Sequence, residues 1–152
     1  MDSKPIVGAV RLATADDVEK IAEVEKECFS EPWSEQSLAL LCSEGGFGAV
    51  VTVDGRVVAY GGMTAVLDEG SVTNVATHPD FRRQGFGRMA VQTLLAEAAQ
   101  KGLRRVFLEV RESNIAAQHL YQAMGFSPCG VRKNFYRRPT EHAVLYVAAI
   151  SV

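Results

Sequence analysis

Thr73-Asn74-Val75-Ala76-Thr77-His78-Pro79-Asp80-Phe81-Arg82-Arg83-Gln84-Gly85-Phe86-Gly87-Arg88 is the stretch on which the reading of this chain turns. A strand ends at Thr77, a loop runs over residues 78–86, and a helical pattern begins at Gly87. The start of a helix presents unpaired backbone N–H groups and the positive end of a dipole, so it binds phosphate readily. Gly85 and Gly87 let the backbone approach an anion with no Cβ in the way. On the glycines alone, a surface loop making a tight turn is an equal alternative. Arg82, Arg83 and Arg88 decide between the two. Three arginines stand at a helix start, where the dipole disfavours cations, and this points to a bound anion.

Two other phosphate loops compete. Gly85-Phe86-Gly87-Arg88-Met89-Ala90 matches the dinucleotide-binding pattern, and Glu109 lies about 20 residues on, where that pattern places its acidic residue. In that motif, however, the first glycine follows the strand almost at once, whereas here His78 to Gln84 intervene. It also opens its domain, and here helices and a meander come first. A Walker loop is absent, because no Gly-Lys-Ser/Thr follows.

Outward from this loop the chain has two characters. Before it, residues 6–12 read as a strand, and Thr14 with Asp17 reads as a helix-starting capping box. Val18, Ile21, Ala22 and Cys28 give that helix an apolar side, on which Glu25 stands with no evident role, and Pro32 limits it. Ser34 caps a short second helix over residues 35–44, closed by Gly45-Gly46. Strands over 47–53 and 56–66 meet at Asp54-Gly55, a two-residue hairpin turn. Asp68-Glu69-Gly70 reads as the next turn, before a strand over 71–77.

After the loop, a helix over 87–101 ends at Gly102, and Val106 to Val110 reads as a strand covered on both faces. A helix over 114–124 and strands over 126–135 and 142–150 follow, the last expected to be central. Strand and helix alternate as in a crossover. The expectation is a single α/β or α+β domain over residues 1–152, with a mixed sheet and helices on both faces.

Apolar residues make up 47% of the 152 residues, charged residues 22%, and the net charge is −2, which gives no global basic field for nucleic acid or an anionic membrane. Cys28, Cys42 and Cys129 lack metal spacing and are odd in number, as expected of reduced thiols in the cytoplasm. No apolar run has the length of a signal peptide core or a membrane span.

Two residues carry candidate chemistry. Glu109 interrupts the apolar strand Val106-Phe107-Leu108-Glu109-Val110, and burying a carboxylate is costly. It is either a general base or one half of an ion pair with a nearby arginine. Tyr121 lies two turns after Asn114 on one helix face, about 10 Å along the axis. It is either a proton donor or a partly buried aromatic with its hydroxyl in water.

Arg82-x-x-Gly85-x-Gly87 after Asn74-Val75-Ala76-Thr77-x-Pro79 resembles the acetyl-CoA motif of the GNAT superfamily of N-acetyltransferases. Pro32-Trp33-Ser34, Leu108-Glu109-Val110-Arg111-Glu112-Ser113-Asn114 and Leu120-Tyr121-Gln122-Ala123-Met124-Gly125-Phe126 narrow the likeness to the bacterial ribosomal-protein-alanine N-acetyltransferases. The resemblance implies a mostly antiparallel central sheet of about seven strands flanked by about four helices. It implies acetyl-CoA as co-substrate, with Val75, Ala76 and Thr77 lining it by backbone groups. Arg82, Arg83, Gln84, Gly85, Phe86, Gly87 and Arg88 surround its pyrophosphate, and Asn114 is a further contact. Glu109 becomes the proton acceptor and Tyr121 the proton donor. The strands either side of the cofactor are expected to splay, so that pantetheine extends the sheet.

The implied acceptor is a protein's N-terminal α-amine, an N-terminal alanine of a small-subunit ribosomal protein. A small amine, or a non-catalytic acyl-CoA-binding role, is the alternative. Trp33 and Tyr136 are candidates to touch the acceptor peptide. Arg132, Lys133, Arg137 and Arg138, interleaved with Phe135 and Tyr136, read as a solvated loop face before a nucleic-acid surface. His78 stands where close relatives of this kind often carry Asp, and His119 and His142 lack partner ligands, so no metal is expected. The expected state is a cytoplasmic monomer without a membrane or nucleic-acid partner.

Overall fold

A computed structural model describes residues 6–42 and 45–150. Seven strands form one mixed sheet: β1 (Ala9–Leu12), β2 (Gly46–Val53), β3 (Arg56–Val66), β4 (Glu69–Thr77), β5 (Arg105–Arg111), β6 (Ser127–Tyr136) and β7 (Glu141–Ala149). Their order is β1-β2-β3-β4-β5-β7-β6. Four α-helices accompany them among the described residues: α1 (Val18–Cys28), α2 (Glu35–Ala39), α3 (Phe86–Gln100) and α4 (Ile115–Ala123). The parallel pair is β4 with β5, in the register Glu69↔Arg105, Gly70↔Val106 and Ser71↔Phe107. This is the α/β, mostly antiparallel architecture expected from the sequence. The chain gathers into two compact units, Met1–Thr64 with Thr73–Glu97, and Ala65–Val72 with Ala98–Val152.

In the first unit, β1 is shorter than the expected strand over 6–12. Its first residue, Ala9, already lies opposite Thr52, one residue from the end of β2, so the ladder has little room to continue. Thr14 N donates to Asp17 Oδ2 at 2.8 Å, and the helix begins with a 3-10 turn over Ala15–Asp17. Arg11 from β1 grips the same carboxylate bidentately at 2.7 and 2.8 Å. α1 ends because Phe29 is already extended, before Pro32 is reached. Ser34 Oγ accepts from Ser37 N at 3.1 Å and starts α2, which continues as a 3-10 turn, Leu40–Cys42. The helix end expected over residues 43–44 lies outside the described residues.

Asp54 and Gly55 both take positive φ, as their hairpin turn requires. β3 is buried without a break from Val57 to Met63. Gly61 and Gly62 explain how it is covered on both faces. A Cβ on Gly61 would lie 3.0 Å from Leu94 Cδ1 of α3, and one on Gly62 would lie 2.5 Å from Leu41 Cδ1 of the turn after α2. Ile21, Val24, Leu38, Leu41, Val50 and Tyr60 fill one layer of this core.

In the second unit the sequence reading needs two corrections. Glu69 and Gly70 are strand rather than turn, because pairing with Arg105 and Val106 draws them into the sheet; Leu67 and Asp68 turn instead. β5 is not covered equally on its faces. Val106, Leu108 and Val110 are buried, whereas Phe107, Glu109 and Arg111 are half-buried. β7 is interior as expected, bonded to β5 on one side and β6 on the other. β6 is an exposed edge, its ladder shifted near Pro128 and again beyond Arg132, as edge strands tolerate. The buried Tyr146 of β7 donates to Gln118 Oε1 at 3.0 Å and accepts from Gln122 Nε2 at 3.2 Å, which fixes α4 against the strand.

Candidate active site

The loop after β4 is built by capping. His78 N donates to Val58 O at 2.8 Å, tying the strand end to β3. His78 Nδ1 accepts from Asp80 N at 3.1 Å and starts the 3-10 turn Pro79–Phe81. The imidazole thus does what a short carboxylate does at such a position. Arg82 Nε donates to Thr77 O at 3.1 Å, and Cys28 Sγ donates to the same oxygen at 3.2 Å. Arg83 and Gly85 take positive φ, turning the chain into α3, and Met89 N donates to Gly85 O at 3.1 Å. The N–H groups of Phe86, Gly87 and Arg88 are therefore first-turn donors without helical partners.

Phe86 is buried and anchors this turn, whereas the side chains of Arg82, Arg83, Gln84 and Arg88 are exposed around it. Among the described residues, neither Arg83 nor Arg88 has an ion-pair partner. Ala76 turns into the core, while Val75 and Thr77 point to the other side, toward the start of α3. A Cβ on Gly87 would lie 3.5 Å from Thr77 Oγ1 and 3.7 Å from Val75 Cγ1, ordinary contact distances. The fold itself therefore does not require glycine at position 87. With no Cβ at this position, the backbone of the turn stays open to close approach.

Glu25 was given no role by the sequence pattern, yet it is 1% exposed and fully bonded. Oε2 accepts from Trp33 N at 2.9 Å, and Oε1 accepts from Asn74 Nδ2 at 2.9 Å and from the Tyr60 hydroxyl. Burial, then the neighbouring carboxylate, pushes the Tyr60 phenol far up, so it remains a donor. The Trp33 side chain itself is partly exposed.

In the second unit, Glu109 has a side-chain exposure of 24% and an ion pair with Arg132 at 3.2 Å. The ion-pair alternative thus has its partner, from the cluster read as a solvated face. Arg132 is itself 57% exposed, so the pair is screened and worth little. Tyr121 is buried, edge-on to Phe126 with ring centroids 5.8 Å apart. Burial, aided by Tyr136, pushes its phenol up to about 12, so it is protonated at neutral pH. Tyr136 is also pushed up, by burial and then by the charge of Glu109, while Arg111 opposes the shift. Glu109, Tyr121 and Tyr136 therefore share one electrostatic neighbourhood.

Arg111 was missed as an organising residue. Its guanidinium lies 4.4 Å from the Tyr136 ring centroid and donates to Arg137 O, Pro139 O and Glu141 Oε2 at 3.2, 3.1 and 3.2 Å. It holds the loop that follows Tyr136. Glu141 also accepts from Ser113 N, and hydrogen bonding by the Ser113 side chain, then by its backbone, and by Arg111 draws its carboxyl below the usual range. Asn114 is the N-cap of α4: its Oδ1 accepts from Ala117 N at 3.1 Å. Among the described residues, no three His, Cys, Asp or Glu side chains are grouped to hold a metal ion, and no helix is long and apolar enough to cross a membrane.

The Acetyltransferase (GNAT) family model matches residues 18–126. The chain belongs to this family and is an acetyltransferase; enzymes of the family use acetyl-CoA as co-substrate. Within it, the chain is 31% identical over 146 residues to the [ribosomal protein bS18]-alanine N-acetyltransferase of Salmonella typhimurium, covering 96% of this chain and 99% of that protein. It is 35% identical over 133 residues to the Escherichia coli enzyme of the same name, covering 85% and 88%. The crystal structure of the ribosomal-protein-S18-alanine N-acetyltransferase from Escherichia coli superposes with a TM-score of 0.89 at 31% identity, over 96% of each chain. Ard1 from Thermoplasma volcanium shares the fold, with a TM-score of 0.84 at 23% identity.

Proposed function

We propose that this chain transfers the acetyl group of acetyl-CoA to the α-amine of an N-terminal alanine, with ribosomal protein bS18 as the protein acceptor. The observation that carries this reading is its likeness, over nearly the whole length, to enzymes named for that reaction. In this reading residues 1–152 act as one catalytic domain, as a cytoplasmic monomer without a metal.

The first-turn N–H groups of α3 and the exposed Arg82, Arg83 and Arg88 take the pyrophosphate, with Gln84 and Gly85 shaping the turn. Gly87 gives the phosphate close approach, which accounts for a glycine the fold does not need. The register between β4 and β5 covers Glu69 to Ser71, which leaves the backbone of Val75, Ala76 and Thr77 beyond it to bond pantetheine in strand fashion. One of these N–H groups stabilises the oxyanion of the tetrahedral intermediate. The Asn114 carbonyl is taken up in capping, so its NH2 is the group that meets the cofactor.

An α-amino group has a pKa near 8 and is mostly protonated at pH 7. Glu109 removes that proton, directly or through a water, exchanging the screened pair with Arg132 for the incoming ammonium. The neutral amine attacks the thioester carbonyl, the nitrogen of the tetrahedral intermediate releases its second proton to water, the intermediate collapses, and the C–S bond breaks. Tyr121 donates to the departing sulfur. Its phenol, at about 12, is a weaker acid than a thiol at about 8.5. The Tyr121 hydrogen bond therefore stabilises the thiolate first, and proton transfer to sulfur is the uphill, later part of the step. Trp33 and Tyr136 border the acceptor peptide.

Purified enzyme incubated with acetyl-CoA and a bS18 N-terminal peptide, followed by fragment mass spectrometry, tests this. Acetyl on the α-amine of alanine is expected. Acetylation confined to lysine side chains, or to small amines supplied in competition, contradicts it.

A further inference from the structure

Among the described residues, Glu25 is the most deeply buried carboxylate, and the proposed chemistry does not use it. Its three donors come from three places in the first unit: the main chain at Trp33, ahead of α2; Tyr60 in the middle of β3; and Asn74 on β4. All three are neutral. A carboxylate accepts only, so it dictates how each donor must point. Asn74 has to present its amide NH2, and its Oδ1 is left buried with no partner. Leaving a buried acceptor unpaired costs about 1–3 kcal/mol, and burying an ion is costlier still. An apolar residue on this face of α1, among Ile21, Ala22 and Val24, would avoid both costs. Core packing therefore does not account for glutamate at this position.

The location of the donors does. Trp33 N–H is in the segment proposed to border the acceptor, and Asn74 is the residue immediately before Val75, Ala76 and Thr77. We propose that Glu25 is a positioning residue. Its carboxylate fixes the Pro32-Trp33-Ser34 segment to the start of the cofactor-lining part of β4, so that acceptor binding depends on a side chain that touches no substrate. This rests on the reading of Trp33 as an acceptor-side residue.

The variant to make is Glu25→Leu, which keeps the volume and removes every acceptor. The KM for an alanine-first peptide is expected to rise tenfold or more, with kcat and the acetyl-CoA Kd within about twofold of wild type. Trp33 is the single tryptophan of the chain, so its fluorescence reports the segment directly, as does hydrogen exchange at its N–H. Both are expected to change before any substrate is added. Glu25→Gln is expected to restore the peptide KM to within about threefold. Its carbonyl can take Trp33 N–H, while Tyr60 and the Asn74 amide turn to accept from its NH2.

A folded Glu25→Leu protein with an unchanged peptide KM overturns the proposal. So does a uniform loss of kcat, peptide affinity and acetyl-CoA affinity, which marks a purely structural role. If that variant does not fold, Tyr60→Phe decides. A rise of about threefold in the peptide KM with acetyl-CoA affinity unchanged supports positioning, and no rise overturns it. A wild-type protein that fails to acetylate the peptide counts against the function proposed above. In that case the Trp33 fluorescence and exchange measurements still decide whether Glu25 fixes the segment.

Discussion

Glu109 stands half-buried on β5 with Arg132 3.2 Å away, and Tyr121 is buried with its phenol pushed up to about 12. These two environments suit a base that solvent can reach and a donor that stays protonated. Glu109→Gln is expected to lower kcat by about 10²–10⁴ while calorimetry finds acetyl-CoA affinity within about twofold. Wild-type turnover would remove Glu109 as the base. Arg132→Gln separates the base from its ion pair: stability should change by less than about 1 kcal/mol, because the pair is exposed, and turnover should fall far less than in Glu109→Gln. Tyr121→Phe should slow the reaction by one common factor across about pH 6–9, because a phenol at about 12 does not titrate there. A factor that varies with pH would mean that the Tyr121 phenol titrates within that range. Glu109 and Tyr121 stand out in the sequence as candidates because each breaks a local pattern or falls in a recognisable run. Glu25 could not be given a role, since its partners are 8, 35 and 49 residues away and only folding brings them together.

At the scale of elements, the start of α3 has the sharpest consequence. Gly87 has room for a Cβ, so Gly87→Ala should raise stability by roughly 0.5–1 kcal/mol through helix propensity. The same change should weaken acetyl-CoA binding tenfold or more by calorimetry. Unchanged affinity would show that the cofactor does not approach this turn closely. The start of α1 is governed by pH. Arg11 hydrogen-bonded to Asp17 holds that carboxyl below its ordinary value, against the opposing effect of burial. The folded value is the depressed one, so this stability is fully present above the unfolded value of about 3.9 and is lost as pH falls through the folded value. Asp17→Asn should therefore lower Tm at neutral pH, with the gap to wild type closing on acidification below about pH 4. A gap that does not depend on pH would contradict this.

Turns and caps such as Asp54-Gly55, Ser34 and Gly102 were legible because their chemistry is local. The strand start at Glu69 and the half-buried face of β5 were not, because pairing between distant segments sets them.

For the molecule as a whole, the sequence held the fold class. Its first half reads as helices and a meander, and its second half alternates strand and helix in a crossover pattern. Among the described residues, seven strands form one sheet in which β4 and β5 run parallel. Membership of the GNAT family was legible too, since the loop from Arg82 to Gly87 and the run from Glu109 to Asn114 carry it in consecutive residues. The surroundings of Trp33 and Tyr136, the candidates to touch an acceptor, were less legible, because Glu25 and Arg111 meet them only through tertiary contacts. This acetyltransferase is proposed to select a protein N-terminus beginning with alanine. The most direct test is kcat/KM for a bS18 N-terminal peptide, measured beside the same peptide with its α-amine blocked and beside free polyamines and amino sugars. Efficient transfer to the free alanine peptide is expected, none to the blocked one, and at least a hundredfold lower kcat/KM for the small amines, about 2.7 kcal/mol of discrimination. Equal or higher kcat/KM for a small amine would contradict it.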